Sequence, residues 1–418
     1  MHILFLTDNF PPEVNAPASR TFEHCRVWVQ AGYKVTVITC TPNFPTGRVF
    51  NGYRNRIWQC DEVEGIRVIR VWSYITANEG FVRRILDYMS FMVTASLASL
   101  FVRGVDLVVG TSPQFFTACA AYVVSRFKNI PFVFELRDIW PESIKAVGVM
   151  KESIVIRMLE RLELFLYRNA AQIVSVTQSF KKILISRGVN GDKIVVVTNG
   201  VDISRFKPMS KDVELVRKLK LEGKFVAGYV GTHGLAHHLE TLLEAAEILR
   251  ELPCGARFHF ILLGDGSRKQ ALKDMAEKRQ LENVTFIDSV PKEQVKNYLS
   301  LLDVSVIHLR KTELFKAVIP SKLFESMAMG LPVLHGVAGE SANIVREEKV
   351  GIVFESENTA ELVKYLQFLQ NDQLAYQNYR ARCLEVAKKY DRGTLAIKML
   401  EAVSKLEKNL CTAKHIHN

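Results

Sequence analysis

The sequence predicts an α/β chain of two Rossmann-like domains facing a central cleft. Three observations carry that prediction. Short β-branched runs alternate with helical stretches twice over. Several of those runs have no polar alternation, so they read as strands covered by helices on both faces, the pattern of a parallel sheet. A charged stretch without apolar period, residues 210–224, lies between the two series, and 418 residues suit two hydrophobic cores better than one.

In chain order, residues 2–7, 33–39, 66–72, 106–110, 132–137, 172–177 and 193–198 read as strands of the first domain. Asn199-Gly200-Val201-Asp202 makes a turn, Lys207-Pro208 follows, and the alternation restarts after residue 224. Strands are predicted at 225–230, 257–263, 283–288, 304–309 and 332–334, with helices at 238–250 and 321–329 among them. The tail from 373 to about 406 is helical by pattern and bends near Asp391-Arg392-Gly393. These readings give domains at 1–205 and 206–390, with a last helix, about 391–410, crossing back to the first. Open parallel sheets bind ligands at their strand C-termini, so the cleft is the expected site.

Composition narrows the classes of function. The chain is 48% apolar and 24% charged with Gly and Pro dispersed, which suits a folded enzyme rather than a disordered chain. Seven cysteines stand apart and form no CxxC pair, which predicts reduced thiols, no disulfide framework and no zinc site. The apolar run at 3–6 is broken by Thr7 and Asp8 and is too short for a signal peptide, which predicts a cytoplasmic location. A net charge of +11 is spread along the chain without an arginine-rich arm, which argues against nucleic acid and for an anionic membrane surface or polyanionic substrate. The apolar stretch 89–102 contains Ser and Thr and falls short of the ~20 residues of a spanning helix. It reads as a buried or interfacial helix of a protein peripheral to the inner membrane face.

The most informative segment runs from Pro320 to Val333, PSKLFESMAMGLPV. Pro320 and Ser321 start a helix, Gly330 ends it, and Leu331-Pro332-Val333 enters a strand. Glu325 then sits near a helix start, where a carboxylate can accept two hydrogen bonds from a ribose diol, while Lys322 attracts a diphosphate. Val230-Gly231-Thr232-His233-Gly234 follows a strand, and its glycines let backbone approach phosphate oxygens. Gly264-Asp265-Gly266 closes another strand and by itself reads as a tight turn.

In the first domain the loop Asp8–Pro17 follows the first strand, placing Asn15 and Ala16 before a helix that carries Arg20, read as an anion contact or a surface arginine. Glu135-Leu136-Arg137-Asp138-Ile139-Trp140-Pro141-Glu142-Ser143 gathers acids, an arginine and a tryptophan at a strand end, where charge is costly unless solvated, paired or functional. Arg137, Asp138 and Glu142 are candidates for acceptor binding, with an Arg137–Asp138 or Arg137–Glu142 ion pair as the structural alternative.

The Pro320–Val333 run resembles the nucleotide-sugar motif of family 4 glycosyltransferases, which have the GT-B fold, and the PSKLFE form and the RDIWPES run resemble the bacterial O-antigen and capsule subgroup that includes the L-fucosamine transferase. The resemblance implies a retaining transfer, on a UDP-sugar donor carrying an amino or deoxy sugar, to a lipid-diphosphate-linked saccharide. It implies that Gly231, Thr232, His233, Asp265, Gly266, Pro320, Ser321, Lys322, Leu323 and Glu325 bind the donor; that Asn15, Ala16, Arg20, Arg137, Asp138 and Glu142 bind the acceptor; and that Asp138, Lys322 and Glu325 serve catalysis. The sequence departs from the commoner pattern at two places. Ala317 stands where the first of two spaced glutamates falls, and Thr232 and His237 stand where many members have Arg and Lys, so charge for the diphosphate must come from Lys322, His233 or another base.

No Asp-x-Asp occurs, which predicts metal independence and no cofactor beyond the nucleotide-sugar. Two other readings share the fold: a sugar-nucleotide epimerase or phosphorylase, and a non-catalytic partner subunit. A nicotinamide dehydrogenase is disfavoured because the first strand leads into Asp8-Asn9-Phe10-Pro11-Pro12 and not G-x-G-x-x-G.

Overall fold

Uninterrupted apolar strands need cover on both faces, and the computed structural model of the chain, which describes residues 1–44, 46–76, 81–139, 154–253 and 255–416, provides it. Contacts divide the chain into two units. One is Met1–Thr198 together with the stretch from Arg392, and the other is Asn199–Asp391.

The first unit holds β1 (His2–Leu6), β2 (Lys34–Cys40), β3 (Trp58–Val63), β4 (Ile66–Val71), β5 (Leu107–Thr111), β6 (Phe132–Leu136), β7 (Gln172–Ser175) and β8 (Ile194–Val196). Its helices so far are α1 (Ala16–Gln30), α2 (Phe81–Leu100), α3 (Phe115–Lys128), α4 (Ile154–Asn169) and α5 (Gln178–Ser186). The sheet order is β3-β4-β2-β1-β5-β6-β7-β8. β1 pairs with β2 on one side and β5 on the other, so the chain reverses its winding there and opens a crevice at the C-terminal ends of β1 and β5. β3 is the strand that apolar runs do not reveal. It alternates exposed and half-buried residues on the sheet edge and pairs antiparallel with β4 across Glu64-Gly65, both at positive φ.

The second unit is a six-stranded parallel sheet, β11-β10-β9-β12-β13-β14. Its strands are β9 (Phe225–Val230), β10 (Phe258–Leu263), β11 (Val284–Ile287), β12 (Val304–His308), β13 (Val333–Gly336) and the three-residue β14 (Gly351–Val353), too short to announce itself in sequence. Its helices are α6 (Val213–Lys218), α7 (Glu240–Glu251), α8 (Lys269–Lys278), α9 (Lys292–Leu299), α10 (Lys322–Ala328), α11 (Glu340–Glu348), α12 (Thr359–Asn371) and α13 (Gln373–Ala387). Here winding reverses between β9 and β12. The unpatterned stretch 210–224 contains α6, a single short helix capped by Asp212, whose Oδ1 accepts from the N–H groups of Glu214 and Leu215; Leu221 then enters the core of this unit.

The last helix, α14 (Arg392–Ile416), belongs to the first unit. Leu395, Met399 and Val403 join Ile3, Phe5 and Trp28 in one core, and the Trp28 indole N–H donates to the Ala396 carbonyl at 2.8 Å. Among the described residues no helix is long and apolar enough to cross a membrane.

Candidate active site

At the C-terminal edge of the second sheet, two strand-end loops are knitted into one. The Gly231 N–H donates to the Leu263 carbonyl at 2.9 Å, His233 N–H to Asp265 O at 2.8 Å, and Arg268 N–H to His233 O at 2.9 Å. The approach is close enough to need glycine. A Cβ on Gly264 would stand 1.9 Å from the Gly231 carbonyl oxygen, and one on Gly266 2.5 Å from that of His233. Asp265 accepts from the Gly266 N–H at 2.7 Å and is otherwise exposed, as is Thr232. Lys269, which the motifs did not single out, fixes the loop from below through the Gly264 carbonyl at 2.7 Å and Asp288 at 2.5 Å.

Lys322 is brought to these loops. Its Nζ lies 3.6 Å from the centroid of the Tyr229 ring, and a Cβ on Gly231 would be 2.9 Å from it. The side chain is half-buried as a whole, but the ammonium is shielded from solvent and has no hydrogen-bond partner among the described residues. Burial pulls its pKa down to about 7, with the charge of Glu325 resisting. The ring offers only its π face, since the Tyr229 hydroxyl is committed to the Thr232 carbonyl at 2.9 Å. Tyr229 lies inside an apolar strand, where nothing in the sequence marks it.

His233 supplies no charge here. It is fully buried with neither ring nitrogen bonded; burial, then Lys269 and Lys322, lower its pKa to about 4. His237, beside the same tyrosine, is lowered to about 3 by burial and Lys322. Of the bases expected to face a diphosphate, Lys322 remains, and His233 contributes backbone alone.

Pro320 and Ser321 begin the turn into α10 through their carbonyls, which accept from the N–H groups of Leu323 and Phe324. Ser321 makes no side-chain cap, and the helix is only seven residues long. Leu323 is wholly buried in the core, so its side chain holds the segment in place and cannot reach a ligand. Glu325 is half-buried, and its carboxylate has no hydrogen-bond partner among the described residues. Ala317 is buried in a 3-10 turn packed under Gly339, where a Cβ would meet the Lys316 carbonyl at 2.0 Å.

In the first unit the acceptor candidates divide. Asn15 is a helix cap: its Oδ1 accepts from Ala18 N–H at 2.9 Å, and its amide donates to Asn9. Ala16 is the exposed first residue of α1. Arg20 is not a surface arginine. It is 3% exposed, ion-paired with Glu135 at 2.8 Å, and donates to the carbonyls of Val197 and Thr198, so its fork points into the protein. Burial opposes ionisation of Glu135, but Arg20 and Arg137 outweigh it and hold the carboxyl below its usual range.

Arg137 behaves differently. Its backbone N–H donates to Ser112 Oγ at 2.7 Å, while Nε and Nη1 are buried without a hydrogen-bond partner among the described residues. Burial brings its pKa to about 10 against the pull of Glu135. The expected Arg137–Asp138 pair is not made by these two nitrogens, and the Arg137–Glu142 alternative falls outside the described residues. Asp138 donates its own N–H to Ser112 Oγ at 3.2 Å. Glu142, with Trp140, Pro141 and Ser143, lies outside the described residues.

Two neighbours escaped the motifs. His24, one turn after Arg20 on α1, is buried with both ring nitrogens unbonded and its pKa well below the usual value, from burial and then Arg20. Glu13 is buried under the N–H groups of Asn43, Phe44 and Phe10, and burial raises its pKa to about 7 despite them. Among the described residues no group of three or more His, Cys, Asp or Glu could hold a metal ion.

Residues 18–205 match the model of Glycosyltransferase Family 4, and residues 211–390 that of Glycosyl transferases group 1. The chain is 26% identical over 341 residues to the Escherichia coli protein WcaI, named for colanic acid biosynthesis as a glycosyl transferase, covering 79% of this chain and 82% of that one. It is 23% identical over 269 residues to the Pseudomonas aeruginosa glycosyltransferase WbjE, covering 63% and 66%. Among solved structures, Anabaena HepE in complex with UDP has a TM-score of 0.71 at 15% identity, over 97% of this chain and all of that one. At that identity the likeness is one of fold.

Proposed function

Since the chain belongs to the GT-B glycosyltransferases of group 1 and family 4, we propose that it is a retaining enzyme moving an amino or deoxy sugar from a UDP-sugar to a lipid-diphosphate-linked saccharide in O-antigen- or capsule-type polysaccharide biosynthesis. It would work in the cytoplasm, peripheral to the inner membrane face. One observation carries the donor half: the shielded Lys322 ammonium, without a hydrogen-bond partner, against the Gly231 loop. An unspent cation beside backbone that only glycine can form suits a diphosphate leaving group. The HepE complexes with UDP, and with UDP and glucose, support reading the nucleotide as UDP. Glu325 holds the ribose diol, and the amino- or deoxy-sugar follows from the resemblance of PSKLFE to the L-fucosamine subgroup.

The chemistry needs no protein nucleophile. The anomeric carbon–phosphate oxygen bond breaks as the acceptor oxygen bonds the same face, and the acceptor proton passes to the departing β-phosphate oxygen. Lys322 offsets the charge that grows there. Arg137 and Asp138 position the acceptor, and exclusion of water keeps the donor from hydrolysis.

Calorimetric titration with UDP, GDP and ADP, followed by transfer assays read by NMR at the anomeric position, tests this reading. Tightest binding of UDP and retained configuration are expected. Conversion of a UDP-sugar without acceptor would instead show an epimerase.

A further inference from the structure

We propose that the outer face of the α2–α3–α4 layer docks into the interface of an anionic phospholipid bilayer; this deepens the peripheral location proposed above by naming the surface that makes contact.

The three helices lie side by side, α2 against α3 and α3 against α4, with the Tyr122 and Phe165 rings 5.2 Å apart. Their inner faces enter the core, which is ordinary. Their outer faces are apolar as well, which is not. On α2, Leu86, Met89, Val93 and Leu97 recur every three or four residues and are 43–56% exposed. Phe127 on α3 is 75% exposed, and α4 adds Met158 and Phe165. By contrast every exposed side chain on α8 is polar. Neighbouring stripes of this kind form a patch that water solvates poorly.

The charges say what covers it. Every fully exposed charged side chain described on the three helices is an arginine, Arg83, Arg84, Arg126, Arg157, Arg161 and Arg168, whereas the acids Asp87 and Glu160 are half-buried and Glu163 is buried. A protein partner could match the apolar stripe alone, but an apolar surface bordered by one sign of charge fits an interface with hydrocarbon beneath and anionic headgroups above. Arginine also suits that role because its fork bonds phosphate in pairs.

Trp58 reports on the face. It is 39% exposed, and its ring meets that of Phe101, itself 76% exposed just past α2, edge-on at 6.4 Å. The full-length chain is mixed with vesicles of phosphatidylcholine alone or with phosphatidylglycerol, with bromine on the acyl chains, and sedimentation and tryptophan quenching are followed. Binding to the phosphatidylglycerol vesicles with quenching that falls in Trp58→Phe is expected, the remainder coming from Trp72, which is equally exposed beside α2. Leu97→Gln/Phe127→Gln should weaken binding about tenfold or more, with unchanged thermal unfolding because both positions are exposed. Wild-type binding in that variant, or quenching untouched by Trp58→Phe, overturns the proposal. So does a wild-type dimer in light scattering that the same variant dissociates, since the face would then cover a second copy. Transfer to a short-chain, water-soluble acceptor separates the two readings: it should survive in the variant, and its absence in the wild type with vesicle binding intact would fail the proposed reaction while leaving the face standing.

Discussion

The α-carbon of Gly264 rests against the carbonyl of Gly231, so closely that a methyl group would lie 1.9 Å from the oxygen. Gly264 also sits at φ +144°, a conformation that side chains rarely adopt. Gly264→Ala must therefore spread the two loops that Lys322 approaches. We expect a lower thermal midpoint and weaker UDP binding together, measured by calorimetry. Unchanged UDP affinity would separate this loop pair from the donor site.

Lys322→Met should weaken UDP far more than UMP if, as proposed, the ammonium faces the diphosphate. The pH dependence has a definite sign. Its pKa of about 7 lies below that of an unfolded lysine, and a diphosphate bound beside it would raise it again. UDP affinity attributable to this group is therefore full below pH 7 and falls as pH rises through it. Stability of the ligand-free protein runs the other way, rising with pH between about 7 and 10.5, because there the unfolded chain binds the extra proton. Both slopes should flatten in Lys322→Met. A wild-type UDP profile in that variant counts against the assignment.

Glu325→Gln should not unfold the chain, since its carboxylate has no hydrogen-bond partner among the described residues to lose, though Lys322 loses the charge that supports its ionised form. Nucleotide binding should fall roughly ten- to a hundredfold, corresponding to about 1.5–3 kcal/mol for a charged hydrogen bond. Wild type should prefer UDP over 2′-deoxy-UDP, and the variant should lose that preference. If it persists, the ribose is held elsewhere.

Arg137→Met should raise the KM for acceptor with little change in the Kd for UDP, because its buried Nε and Nη1 await a partner in the first unit. Steady-state kinetics with each substrate varied in turn checks this. An equal loss for both substrates would make Arg137 a structural residue.

Arg20→Met should unfold at markedly lower denaturant. It leaves Glu135 buried without its ion-pair partner, a loss that costs about 3–5 kcal/mol in such settings. Arg20→Met/Glu135→Leu should recover part of it, as the unpaired carboxylate is gone while Arg137 loses the pull of Glu135. Were Arg20→Met as stable as wild type, the pair would carry no structural weight.

The sequence by itself determined the parallel strands of the two sheets, because strands buried on both faces must be continuous apolar runs, and it marked Gly231, Lys322, Glu325 and Arg137 by the company they keep in short motifs. It did not reveal β3, whose alternation belongs to a solvated edge, or β14, which is three residues long. Tertiary structure alone decided what each charge does. Arg20 became a buried strut because α1 lays it beside Glu135, 115 residues away. His233 lost its charge to burial, and Lys322 acquired an aromatic floor in Tyr229, a residue whose place in an apolar strand hides it. The physical reason is common to all three: local sequence sets where the backbone goes, while protonation and partnership depend on solvent access and on neighbours that only the folded chain brings near.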